Sequence, residues 1–136
     1  MWATLQKDIV SRFPRHHSNG THSGVAVVET VPVGASDWKK RMEDLQAIRN
    51  NQSDWDGQGA EAPSPELMDS VEGLMQILMQ RGIDAPSGVV PGVNGTVIVE
   101  WQGENDFYLE IEVTAPNRAD GCLIVPGMPT EHWTLQ

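Results

Sequence analysis

Phe107-Tyr108-Leu109-Glu110-Ile111-Glu112-Val113 decides the fold. Its apolar members Phe107, Leu109, Ile111 and Val113 alternate with Tyr108, Glu110 and Glu112. A period of two puts the two sets on opposite faces of a strand, one suited to burial and the other to charge. Upstream, Val97, Val99 and Trp101 alternate in the same way with Ile98 and Glu100, and Gly103-Glu104-Asn105-Asp106 supplies the turn between the two runs. Gly88-Val89-Val90 reads as a short strand before them, and Pro91-Gly92-Val93-Asn94-Gly95 carries a hairpin signal. Downstream, Ala115 to Asp120 reads as a turn, Cys122-Leu123-Ile124-Val125 as a strand, and His132 to Leu135 as an edge strand.

Before Pro86 the apolar spacing is helical. A helix is expected from about Asp37 to Arg49, capped by Ser36, with Trp38, Met42, Leu45 and Ile48 on one stripe. A second is expected after Ser64, an N-cap residue followed by Pro65 at the first helical position and Glu66 in the first turn. Gly82 is its expected stop. Leu67, Val71, Leu74, Met75 and Leu78 form its buried face, widened by Met68, Ile77 and Met79. Helices followed by a run of strands give an α+β class. The expected form is two helices packed on one face of a small antiparallel β-meander, with a loosely attached N-terminal segment. That segment, residues 1–35, holds a short helix near 2–13, a polar loop with His16, His17 and His22, and a strand near 25–31. Residues 36–136 form the single α+β domain.

Between the helices lies Trp55-Asp56-Gly57-Gln58-Gly59-Ala60-Glu61-Ala62-Pro63-Ser64-Pro65-Glu66. This run resembles a signature of small uncharacterised bacterial proteins: Trp-Asp-Gly-x-Gly-Ala, a proline, then Pro-Glu opening a helix. The resemblance spans roughly residues 45–114 and takes in Val97-Ile98-Val99-Glu100-Trp101. It implies a bacterial or phage setting and a β-rich half after the helix, and it assigns no catalytic residue. Read residue by residue, the loop has two uses. Trp55 can anchor a partner while Asp54, Asp56 and Glu61 reach a cation or a basic partner. Alternatively, Trp55 plugs the edge of the core while Asp56 accepts backbone amides in the Gly57–Gly59 turn.

Charge narrows the function classes. The chain has 136 residues and a net charge of −10. Up to Arg49, seven cations face five acids; from Asn50 onward only Arg81 and Arg118 face fourteen acids. Direct binding to a nucleic-acid backbone is therefore disfavoured, because phosphate contacts need cations. The expected partner is a protein with a basic surface. No apolar run nears the roughly 20 residues of a membrane helix, and residues 1–8 lack a signal-peptide layout. One cysteine, Cys122, fits a reducing compartment, and a cytoplasmic location is expected.

The candidate binding residues are Asp54, Trp55, Asp56 and Glu61 in the loop and Glu100, Glu110 and Glu112 on the strand face. No catalytic residue, metal site or cofactor is expected: a nucleophile elbow and a phosphate-cradling glycine loop are absent, and no His or Cys spacing suits a metal. The expected function is a non-catalytic interaction module, an acidic accessory, regulatory or inhibitory protein docking on a basic partner, such as a nucleic-acid-handling enzyme. One alternative is a small carboxylate-dependent hydrolase. Another is a structural subunit of a larger assembly, tethered through a Trp2/Phe13 stripe.

Overall fold

A computed structural model describes residue 2, residues 11–14 and residues 35–136. The strand expected near 25–31 and the three N-terminal histidines lie outside these residues, as does most of the helix expected near 2–13. The described chain contains helices α1 (Ala35–Arg49) and α2 (Pro65–Gln80), then strands β1 (Gly88–Pro91), β2 (Val97–Gln102), β3 (Tyr108–Ala115), β4 (Arg118–Ile124) and β5 (Glu131–Leu135). All strand pairs are antiparallel, and the order β1-β2-β3-β4-β5 is that of a meander. The expected α+β class and its meander are both present.

Helix α2 begins where its chemistry dictates. Ser64 is extended at φ −69° and ψ 155°, and its Oγ accepts the Leu67 N–H at 3.1 Å. Pro65 loses nothing at a position whose N–H has no helical partner. At the other end Gly82 takes φ +77°, and Ile83 N–H reaches back to Leu78 O at 3.1 Å. Leu67, Met68, Val71, Leu74, Met75 and Leu78 are all buried along this helix. At about 1.5–3 kcal/mol for each fully buried side chain, that stripe outweighs any propensity term. Met79 falls off it, at 41% exposed, because its position on the helix turns toward solvent.

The core lies between the helices and one face of the sheet. That face carries Val97, Val99, Trp101, Leu109, Ile111, Val113, Ala119, Leu123 and Leu135. Helix α1 packs against β1 and α2 against β3. Two residues from the N-terminal segment complete the core. Trp2, 8% exposed, donates its Nε1–H to Ser70 O at 2.7 Å. Phe13, 4% exposed, meets Trp101 edge-to-face with ring centroids 5.0 Å apart. Both side chains are thus buried within this chain.

One expected turn is a strand. The polar run Asn117-Arg118-Ala119-Asp120 belongs mostly to β4, because Pro116 and Asn117 alone make the reversal. Asn117 adopts φ +60°, a left-handed conformation that asparagine tolerates, and Ser70 Oγ accepts its N–H at 3.0 Å. Gly121 then faces the core, where the Trp133 indole lies across it and leaves no room for a Cβ.

Candidate functional site

The Trp55 loop is closed on itself. Asp54 Oδ1 accepts the Gly59 N–H at 2.6 Å, and Asp54 N–H donates to Ala60 O at 2.7 Å. Asp56 Oδ1 accepts the N–H groups of Gln58 and Ala60 at 2.8 and 3.1 Å. These amide hydrogen bonds hold the Asp56 carboxyl below its usual value of 3.8. Gly57 and Gly59, at φ +74° and +87°, make the sharp reversal possible. Trp55 is half-buried and donates its Nε1–H to Glu61 O at 3.0 Å. Glu61 N–H in turn donates to Val93 O at 3.0 Å, and a parallel bridge pairs Glu61 with Asn94. The loop thereby ties the link between the helices to the β1–β2 hairpin. Within it the Asp54 and Asp56 carboxylates each accept backbone amides of the turn.

The open face of the sheet is organised differently. Cross-strand register puts Glu100, Glu110, Cys122 and His132 in one row across β2 to β5, and Ile98, Glu112, Asp120 and Thr134 in the next. Glu100 and Glu110 are direct partners, as are Glu112 and Asp120. Gly103 N–H donates to Phe107 O at 3.0 Å, so by alternation Glu100–Glu110 is a non-hydrogen-bonded pair. In such a pair the Cα atoms approach to about 4.5 Å and side chains stand close. Like charges placed so are destabilising.

Neutral hydroxyls moderate this crowding only in part. Tyr108 Oη–H donates to Glu100 Oε2 at 3.0 Å, and Thr96 Oγ1–H donates to Glu112 Oε2 at 2.8 Å. Thr134 Oγ1 lies 3.4 Å from Asp120 Oδ1, a long contact. Among the described residues, none of the four carboxylates enters an ion pair; the pairs present are Arg12–Glu131, Arg41–Asp44 and Arg49–Asp69. Burial, then the Glu100 hydrogen bond, then the charges of Glu110 and Glu100 push the Tyr108 phenol well above its ordinary value of 10. Burial and then the Glu110 charge push the Cys122 thiol up as well. A protonated thiol is a poor nucleophile.

Of the seven candidate binding residues, Glu100, Glu110 and Glu112 come together on one face. Asp54, Trp55, Asp56 and Glu61 form a separate loop. Asp120 belongs to the acidic face and escapes the sequence reading because its run resembles a turn. Its alternation with Ala119, Gly121 and Leu123 is the signal that finds it. Among the described residues, no group of three or more His, Cys, Asp and Glu is arranged to hold a metal, and no helix is long and apolar enough to cross a membrane.

No protein-family model, curated protein or solved structure matches this chain.

Proposed function

We propose that the chain is a non-catalytic protein-interaction module that docks its acidic sheet face on a basic partner. One observation carries the reading. Glu100–Glu110 and Glu112–Asp120 are directly opposed like charges, left without a described counter-ion. Folding alone favours a mixed or neutral face there, since each such pair opposes folding. A partner supplying cations would relieve the repulsion on binding, so part of the cost of folding returns as affinity. Among the described residues, no short hydroxyl bond reaches Glu110 or Asp120 as it does Glu100 and Glu112, so these two are the first cation acceptors. A positively charged groove, such as that of a nucleic-acid-handling enzyme, has the complementary field. The protein then acts as an accessory, regulatory or inhibitory factor in a bacterial or phage cytoplasm.

The hydrolase reading has less support. Asp54 and Asp56 already accept loop amides, and Cys122 is held as a thiol. The proposal is tested by capturing partners from host extract with wild-type protein beside E100K/E110K/E112K, whose fold is checked by circular dichroism. A partner retained by wild type, lost with the variant and released by moderate salt supports the proposal. Equal retention by both proteins contradicts it.

A further inference from the structure

The two edges of the sheet are not equivalent. Gly92 N–H donates to Thr96 O at 2.9 Å, which fixes Gly92, Val90 and Gly88 as the β1 residues bonded to β2. Val89 and Pro91 therefore point their peptide groups outward, and Pro91 has no N–H to offer. A proline in that place is a common guard on an edge strand. Carrying the same alternation through the paired registers of β2, β3 and β4 bonds Glu131, Trp133 and Leu135 to β4. The peptide groups of His132 and Thr134 then face outward on β5. No proline and no register shift interrupts this edge, and among the described residues no strand pairs with it.

Beside the start of β5 is an apolar hollow of about 460 Å³, lined by Leu123, Val125, Met128 and Pro129 and rimmed by Arg12 and Glu131. Met128 is 66% exposed. On the other side of the sheet, His132 and Thr134 extend the two rows that contain Glu110, Glu112 and Asp120. A strand added at β5 would thus meet an apolar hollow with one set of side chains and an acidic face with the other.

We propose that β5 is a strand-addition site for an extended segment of the basic partner, in which apolar and cationic residues alternate. Backbone bonds to His132 and Thr134 fix its register, and alternate side chains provide specificity. Its apolar residues enter the hollow by Leu123 and Met128. Its lysines or arginines lie on the open face, about 10 Å from the β4 carboxylate of Asp120, and long side chains close that gap. The occupant's charge rests on the acidic-face reading above; the edge and the hollow stand independently of it.

The probe is a synthetic nonapeptide alternating lysine and valine, compared with a block peptide of the same composition. Amide hydrogen exchange and ¹H–¹⁵N spectra are recorded on the whole chain with each. The alternating peptide should protect the His132 and Thr134 amides and bind more tightly than the block peptide. Thr134→Pro removes an outward N–H and should weaken it about tenfold, the scale of one or two hydrogen bonds. Should that variant fail to fold, amide protection in the wild type decides the matter alone. Equal binding of both peptides, with shifts on Glu110 and Glu112 only, overturns strand addition and leaves acidic docking standing. Binding of neither peptide overturns both readings. Protection of the two amides by a concentration-dependent dimer without peptide also overturns the proposal, since a second copy then occupies the edge.

Discussion

Glu100 and Glu110 stand directly opposite each other across β2 and β3, and among the described residues only Glu100 of the two has a hydroxyl donor, from Tyr108 at 3.0 Å. Neutralising the other member should stabilise the protein. Glu110→Gln is expected to raise unfolding free energy by about 0.2–1 kcal/mol at low ionic strength. The gain should shrink with added salt, which screens the repulsion that the substitution removes. Urea titrations at low and high salt read both effects.

Tyr108 is the only tyrosine in the chain, so its ionisation can be followed by absorbance without assignment. It should titrate well above its ordinary value of 10. Glu110→Gln should lower that value by removing a nearby negative charge, and Glu100→Gln should lower it further by also weakening the hydrogen bond. The folded value is raised above the unfolded one. This group's contribution to stability is therefore complete below about pH 10 and is lost as pH climbs above it. Alkaline unfolding of the two variants should show a smaller dependence on pH over that range.

Asp56 has the opposite sign. Amides of Gln58 and Ala60 depress its folded value, so its contribution is present above the ordinary value of 3.8 and is lost as pH falls through the lower folded one. Asp56→Ala should be less stable than wild type at neutral pH. The gap should close in acid below that ordinary value, as measured by urea midpoints across the range.

Packing gives two further tests by thermal or chemical denaturation. Gly121→Ala drives a methyl into the Trp133 ring and should cost about 1–3 kcal/mol, as overpacked sites do. Phe13→Ala empties the contact with Trp101 and should cost about 3–5 kcal/mol. A negligible loss for Phe13→Ala would detach the N-terminal segment from the core.

Much of this architecture is legible in the sequence because its signals are local. Ser64-Pro65-Glu66 and Gly82 bracket a helix through capping chemistry alone. The period of two in β3 separates Leu109, Ile111 and Val113 from Glu110 and Glu112 without reference to any other strand. What needs three dimensions is harder to read. Burial of Trp2 against Ser70 joins residues 68 positions apart, and no local pattern encodes it. The opposition of Glu100 to Glu110 depends on register, which the turn at Glu104–Asp106 sets through left-handed Asn105 and Asp106. Asp120 sits in a run whose composition imitates a loop, and its alternation with Ala119, Gly121 and Leu123 carries weight only once the reversal is known to be as short as Pro116 and Asn117. The Trp55 loop shows the converse difficulty. Its residue types suit a binding site and a self-bonded turn equally, and the hydrogen bonds that Asp54 and Asp56 make within the turn appear only in three dimensions.

The acidic face as a docking surface is tested most directly by measuring affinity for the captured partner against ionic strength. Wild type is compared with E110K/E112K and with E43K/E66K, which makes the same charge change at exposed helix positions. The account predicts that the sheet variant binds at least about tenfold more weakly, with a shallower salt dependence, while the helix variant stays near wild type. Equal losses in the two variants would reduce the effect to net charge and contradict the account.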